Sequence, residues 1–159
     1  MGPSAAAGWA LFSVGAWLGG VAADRLGLVR AAILGRVLNG LGALCMGLAF
    51  GPVALVVAYL VTYTLHGGAS PAYQGLLHRE ASSRNRATIL SMASLVMQAG
   101  GAIAGPLLGL LAARTSIATA MVVAGVVSTL GFVCFLPAAR RQKRLPADVE
   151  NEVAAPSKG

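Results

Sequence analysis

Long apolar runs separated by short polar or charged links dominate this chain. We find five such runs, at residues 4–23, 31–50, 53–77, 87–112 and 117–136. Each run is long enough to cross the hydrocarbon core of a bilayer as a helix, which takes about 20 residues. A helix satisfies its own backbone hydrogen bonds in lipid, and the alternation typical of a membrane β-barrel is absent from these runs. The pattern therefore predicts an all-α, polytopic membrane protein with five transmembrane helices.

The first run differs from a cleaved signal peptide. No basic segment precedes it, and Asp24 and Arg25 follow it where small residues and a cleavage site would be expected. We therefore expect this run to remain in the mature protein as a helix.

The charged residues indicate how the helices are oriented. Hydrophobic residues make up 57% of the chain and charged residues only 11%, against about 25% in soluble domains. The net charge of +7 is explained without a nucleic-acid partner, because ten of the 12 basic residues fall on the same side of the membrane when the five helices cross it in turn. These residues are Arg25, Arg30, Arg79, Arg84, Arg86, Arg140, Arg141, Lys143, Arg144 and Lys158. The bias predicts a cell-membrane protein with its N-terminus outside and its C-terminus in the cytoplasm.

The sequence carries no pattern that indicates catalysis. Cys45 and Cys134 lie in separate apolar runs, where we interpret them as small apolar side chains. No metal-ligand spacing, phosphate loop or catalytic triad is present, so we expect neither an enzyme nor a cofactor nor a metal. We assign residues 1–138 to the transmembrane region and 139–159, which are polar, to a disordered cytoplasmic tail.

The first charged link carries a recognisable motif, Gly20-x-x-x-Asp24-Arg25-x-Gly27. It resembles the loop signature of the major facilitator superfamily, which joins the second and third helices and, in weaker form, the eighth and ninth. A glycine in the last helical turn permits close packing, the carboxylate can face the positive end of a neighbouring helix, and the second glycine permits a tight turn. We expect that neighbour to be the start of the fourth run, near Arg86.

The motif departs from the family pattern in one respect. Leu28 and Val29 stand where the family has a basic pair, and Arg30 comes one position later. A simple charged turn is the alternative explanation of this stretch.

The fourth run strengthens the resemblance. It begins at Arg86 and carries Gly101, Gly105, Pro106 and Gly109 near its far end. This resembles the penultimate helix of the superfamily, and the Gly-Pro-x-x-Gly element resembles a signature of drug/proton antiporters. The glycines form a stripe for close helix contact, and the proline allows a kink. The resemblance implies that this kink takes part in gating. A packing face alone is the alternative.

The resemblance implies a C-terminal half, with the five runs as helices eight to twelve. Residues 58–60 lack the Arg that the first half usually carries. The implied function is alternating-access transport of a small molecule, with efflux favoured, together with the N-terminal half of the same transporter. The residues given a gating role are Gly20, Asp24, Arg25, Gly27, Arg86, Gly105, Pro106 and Gly109. A non-transporting membrane remnant or a five-helix interaction module is the alternative.

Polar side chains recur on one face of the third and fourth runs. The third run carries Tyr59, Tyr63, His66, Ser70 and Tyr73 at spacings of four and three. The fourth run carries Ser91, Ser94, Gln98, Gly101 and Gly105 at spacings of three and four. In the superfamily the corresponding helices line the central cavity.

The resemblance therefore implies that Tyr59, Tyr63, His66 and Gln98 contact substrate, together with Trp17 of the first run. His66 is also the candidate for proton coupling. The alternatives are a His66 bonded to backbone or a hydroxyl, a Gln98 bonded between helices, and tyrosines that only fill the core.

Three further residues of the apolar runs receive no substrate role. We expect Trp9 in the outer aromatic belt. Arg36, which shares a face with Asn39, is expected to snorkel to the cytoplasmic surface.

Overall fold

The computed structural model describes residues 2–82 and 84–142, and this part of the chain is helical throughout. The helices are α1 (Pro3–Leu26), α2 (Leu28–Leu48), α3 (Gly51–Glu80), α4 (Arg86–Arg114), α5 (Ile117–Leu130) and α6 (Leu136–Gln142). A tighter 3₁₀ segment, Gly131–Phe135, joins the last two. Five helical segments are long and apolar enough to cross a membrane, which confirms the predicted all-α fold with five spans.

The link between α1 and α2 is shorter than the sequence indicated. Asp24 and Arg25 belong to the last turn of α1, and Gly27 alone separates the two helices. Gly27 has φ 81° and ψ 152°, a backbone region that is essentially restricted to glycine. The tight turn expected at this glycine is therefore present.

The third run continues as one helix past Pro71, as predicted, and this helix has 30 residues and extends beyond the predicted 53–77 at both ends. Proline has no N–H, so the carbonyl of Gly67 one turn earlier loses its helical partner. At 1.5 Å per residue α3 is about 45 Å long, which exceeds the roughly 30 Å hydrocarbon core.

The fifth run was predicted as one helix, but it is divided into three helical segments. Its α-helix ends at Leu130, and the chain continues as the 3₁₀ segment and then as α6. The change falls at Gly131, a residue with poor helix propensity. Because α6 extends to Gln142, the helical region passes the expected boundary at residue 138. The rest of the predicted tail, residues 143–159, lies outside the described residues.

The helices pack in a definite order. α1 lies along α3, α2 contacts both α3 and α5, and α4 packs mainly against α5. The buried core is small and lies near the Gly27 turn, where it consists of Val29, Ala31, Ala32, Ala72 and Leu76. No described residue of α4 is buried. The bundle therefore leaves one of its long helices almost uncovered.

Glycines set the closest contacts between helices. A β-carbon on Gly15 or Gly19 of α1 would overlap the backbone carbonyl of Thr64 or Gly68 in α3. Gly40 of α2 approaches Thr129 of α5 in the same way. Such small residues let helix backbones come together in a membrane.

Four glycines expected in close helix contacts make none inside the described part of this chain. A β-carbon on Gly20, Gly101, Gly105 or Gly109 would meet no atom within 4 Å. The close contact of α1 is made by Gly19 instead of Gly20, because Gly19 is the residue that faces α3. The glycine stripe of α4 makes no close contact within the described residues.

Candidate functional site

Three of the predicted substrate residues lie together on α3. The ring centroids of Tyr59 and Tyr63 are 4.5 Å apart, and Trp9 of α1 meets Tyr63 edge-on at 6.2 Å. Phe12 of α1 packs against the His66 ring at 5.8 Å. We call Trp9, Phe12, Tyr59, Tyr63 and His66 the aromatic cluster. Its members come from two helices that the glycine contacts hold together.

The small residues of α1 make room for the cluster. A β-carbon on Gly8 would lie 2.9 Å from the hydroxyl oxygen of Tyr59. Further along the same pair of helices, the backbone carbonyl of Phe12 lies against Gly67. The rings of Trp9 and Phe12 reach Tyr63 and His66 because α1 can approach α3 this closely.

A chain of polar side chains continues from His66 into α2 and α5. The His66 Nδ1 lies 3.2 Å from the Asn39 Oδ1, and the Asn39 Nδ2 donates a hydrogen bond of 3.4 Å to the Ser128 Oγ. We call His66, Asn39 and Ser128 the polar chain. It links α3, α2 and α5. The oxygen and the nitrogen of the Asn39 side-chain amide thus have partners on different helices.

Sequence reasoning missed four of the residues gathered here. Trp9 was expected only in the outer aromatic belt, and its ring also packs on Phe12 and Tyr63. Asn39 was noted only as a face-mate of Arg36, and Phe12 and Ser128 were not selected. An isolated Asn in an apolar run was the one available signal, because a polar group in lipid needs a partner.

The two other predicted substrate residues lie apart from the cluster. The Gln98 Nε2 donates to the Ser94 Oγ of its own helix at 3.3 Å, and both side chains are exposed. Among the described residues no hydrogen bond joins Gln98 to His66. Trp17 is 68% exposed. The structure thus brings together three of the five predicted residues.

The residues with a predicted gating role are spread over two helices. Asp24 and Arg25 are exposed in the last turn of α1, and Arg86 is exposed at the start of α4. Within the described residues α1 and α4 make no contact, so the expected approach of Asp24 to the start of α4 is absent. The reason is packing: α1 lies along α3, whereas α4 lies along α5.

Arg36 is half-buried near the point where α5 ends. Its Cδ lies 3.5 Å from the position that a β-carbon on Gly131 would occupy. The side chain therefore runs along the glycine at which the α-helix gives way to the 3₁₀ segment.

An apolar cavity of about 190 Å³ lies between α1, α2 and α3. Residues of its lining include Leu18, Gly19, Leu34, Gly35, Leu65 and Gly68. Sites for polar ligands need a few convergent polar groups, which this lining hardly offers. The aromatic cluster and the polar chain are therefore the better candidate site.

Comparison with known proteins agrees with this architecture. The sequence pattern of the Major Facilitator Superfamily matches residues 3–158. The chain is also similar to the hexuronate transporter of Bacillus subtilis (strain 168), with 29% identity over 109 residues. That alignment covers 69% of this chain and 25% of the relative, so the chain spans about a quarter of that relative's length. With its five apolar helices, the chain is a multi-pass membrane protein that belongs to the Major Facilitator Superfamily.

Proposed function

We propose that the chain is part of a secondary transporter that moves a small molecule by alternating access. In this proposal α1 to α5 are helices eight to twelve, and the N-terminal half of the same transporter is the partner. Two such halves rock around a binding site near the middle of the bilayer. The observation that carries the proposal is the grouping of Tyr59, Tyr63 and His66 with the polar chain, inside helices that are predominantly apolar.

The chemistry of this group suits a small polar organic molecule. The tyrosine hydroxyls and the imidazole can exchange hydrogen bonds with a ligand, and the rings offer apolar faces. The name of the Bacillus relative makes hexuronates the first substrates to test. Efflux is the proposed direction, on the resemblance of the Gly-Pro-x-x-Gly element to drug/proton antiporters, with His66 as the proton-linked group.

The exposed surface of α4 supports the proposal that a second half of the transporter packs against this helix. This helix buries none of its described residues, and Gln98 bonds only within it in the described part of the chain. Leaving polar groups in lipid is costly, so such groups normally face a bundle interior or a cavity. In the proposed complex Gln98 and Trp17 face the pathway across from the other half.

Flux measurements test this proposal. We expect proteoliposomes that contain the purified chain alone to show no saturable uptake or release of a radiolabelled hexuronate. Co-expression with an upstream seven-helix part of the same transporter should restore it. In that complex, His66→Ala and Gln98→Ala should change the KM or the pH dependence, whereas the control Arg36→Lys should change little.

Two outcomes would contradict the proposal. Saturable, His66-dependent flux by the chain alone would indicate an assembly built from this five-helix unit. Absence of flux of any tested solute in the complete complex would favour a non-transporting remnant or an interaction module.

A further inference from the structure

We propose that Asn39 is a positioning residue, which holds the proton of the neutral His66 ring on Nδ1 and leaves Nε2 as the working nitrogen. Asn39 lies on α2, a helix to which the transport proposal assigns no substrate contact. The use of Nε2 in transport rests on the proposed function, whereas the position of the proton on the ring does not.

The geometry of the polar chain carries this inference. The Asn39 Oδ1 is an acceptor, so the His66 Nδ1 at 3.2 Å must donate to it. The Asn39 Nδ2 donates to the Ser128 Oγ at 3.4 Å, and in our proposal this second hydrogen bond helps to keep the amide oxygen toward the histidine. Each end of the amide is therefore matched to a partner on a different helix.

The arrangement assigns different tasks to the two ring nitrogens. The Nδ1 carries a proton in the chosen neutral tautomer and also in the imidazolium, so its bond to Asn39 persists in both charge states. Only Nε2 gains or loses a proton between these states. It lies on the far side of the ring from the amide, and the His66 side chain is exposed. A substrate donor or a transferred proton would thus engage Nε2.

Few groups near the His66 ring could compete with Asn39 in setting the position of the ring proton. Among the described residues, the charged group that approaches from α2 is the half-buried Arg36, one turn before Asn39. From α3 the neighbouring titratable group is Tyr63, and from α1 the ring of Phe12 contacts the histidine. Residues 117–139, which include α5, carry no charged side chain. The tautomer of His66 is therefore set mainly by the amide of Asn39.

Nitrogen-15 NMR of the full 159-residue chain in lipid nanodiscs tests the proposal. The chain has only two histidines, so His78→Gln assigns the signals of His66. Above the pH at which His66 becomes neutral, we expect the wild type to carry the proton on Nδ1. Asn39→Leu removes the acceptor and should move the proton to Nε2. Asn39→Asp keeps an acceptor at this position and should keep Nδ1 protonated.

Two further variants serve as a second test of the Asn39 amide and as a control. Ser128→Ala frees the amide without changing α2 or α3, and it should increase the Nε2-protonated fraction even if Asn39→Leu fails to fold. Gln74→Leu removes an exposed amide about two turns along α3 and should leave the tautomer unchanged. A wild-type ring protonated on Nε2, or an unchanged tautomer in both Asn39→Leu and Ser128→Ala, would overturn the proposal.

A flux measurement separates this inference from the transport proposal. In the complete transporter, Asn39→Leu should alter the pH profile of flux in step with the tautomer. A tautomer that switches without any change in that profile would overturn the assigned role of Nε2. Absence of transport in every variant, with the tautomer behaving as expected, would count against the proposed function alone.

Discussion

Gly19 of α1 lies so close to Gly68 of α3 that a β-carbon on Gly19 would overlap the Gly68 backbone carbonyl. Four residues earlier Gly15 meets Thr64 in the same way, so the two helices are in backbone contact over a full turn. This contact decides where the side chains nearby can lie. It brings Trp9 and Phe12 of α1 onto Tyr63 and His66 of α3.

The adjacent glycines Gly19 and Gly20 provide a matched test of this contact. Gly19→Ala should destabilise the chain by about 1–3 kcal/mol, because the methyl group forces the helices apart. Gly20→Ala enters open space and should stabilise it by up to about 1 kcal/mol, through the better helix propensity of alanine. The free energy of unfolding in mixed micelles, measured by SDS titration, checks both. Equal effects of the two substitutions would show that α1 and α3 are not in backbone contact.

The orientation of the helices can be mapped with reporter fusions. Because ten of the 12 basic residues lie on one predicted side, fusions at Gly51, Ser82, Thr115 and Gly159 should report outside, inside, outside and inside. Alkaline phosphatase and a cytoplasmic reporter at each site give opposite signals and so control for expression. The reverse order at all four sites would contradict the orientation.

Asp24 is expected to act in gating instead of binding. It is exposed in the last turn of α1, away from the aromatic cluster, and no contact joins α1 to α4 within the described residues. Its partner in our proposal is therefore a helix end of the complete transporter. If that interaction is worth about 1 kcal/mol, Asp24→Asn should lower the maximal flux about fivefold with little change in KM.

Asn is the matched substitution at this position, because it keeps the size of the side chain and removes only the charge. Collapse of substrate affinity with an unchanged maximal rate would make Asp24 a binding residue instead.

The glycine stripe of α4 should respond differently in the isolated chain and in the complete transporter. Gly105→Leu enters open space in this chain, so its free energy of unfolding should change by no more than about 1 kcal/mol. In the complete transporter, where we propose that this face packs and moves against the other half, the same change should reduce flux more than tenfold. Gly40→Leu is the contrasting variant, since Gly40 meets Thr129 in the chain itself.

A Gly105→Leu variant with full transport activity would remove Gly105 from the proposed gating group. The neighbouring Pro106 and Gly109 can then be tested in the same way, one at a time.

The pattern of apolar runs predicted the five membrane-spanning segments, although not the break of the fifth at Gly131. A predominantly apolar stretch of about 20 residues satisfies its backbone hydrogen bonds in lipid as a helix, so the five spans followed from local sequence. The tight turn at Gly27 was also expected from the sequence, because glycine permits a backbone geometry closed to other residues. The structure alone showed that Gly27 is the whole link. The three-four spacing put Tyr59, Tyr63 and His66 on one face for the same local reason.

Contacts between helices were decided only by the tertiary structure. Helical periodicity states which residues share a face but not which helix that face meets, so the partners of His66 in α1 and α2 were not readable. Gly19 and Gly20 illustrate this limit. They are neighbours of identical chemistry, and only the position of α3 brings Gly19, and not Gly20, into backbone contact. In lipid, apolar surface by itself does not favour one helix partner over another. Specific pairing therefore depends on close fit and on a few polar groups such as Asn39, and both depend on the arrangement of the whole bundle.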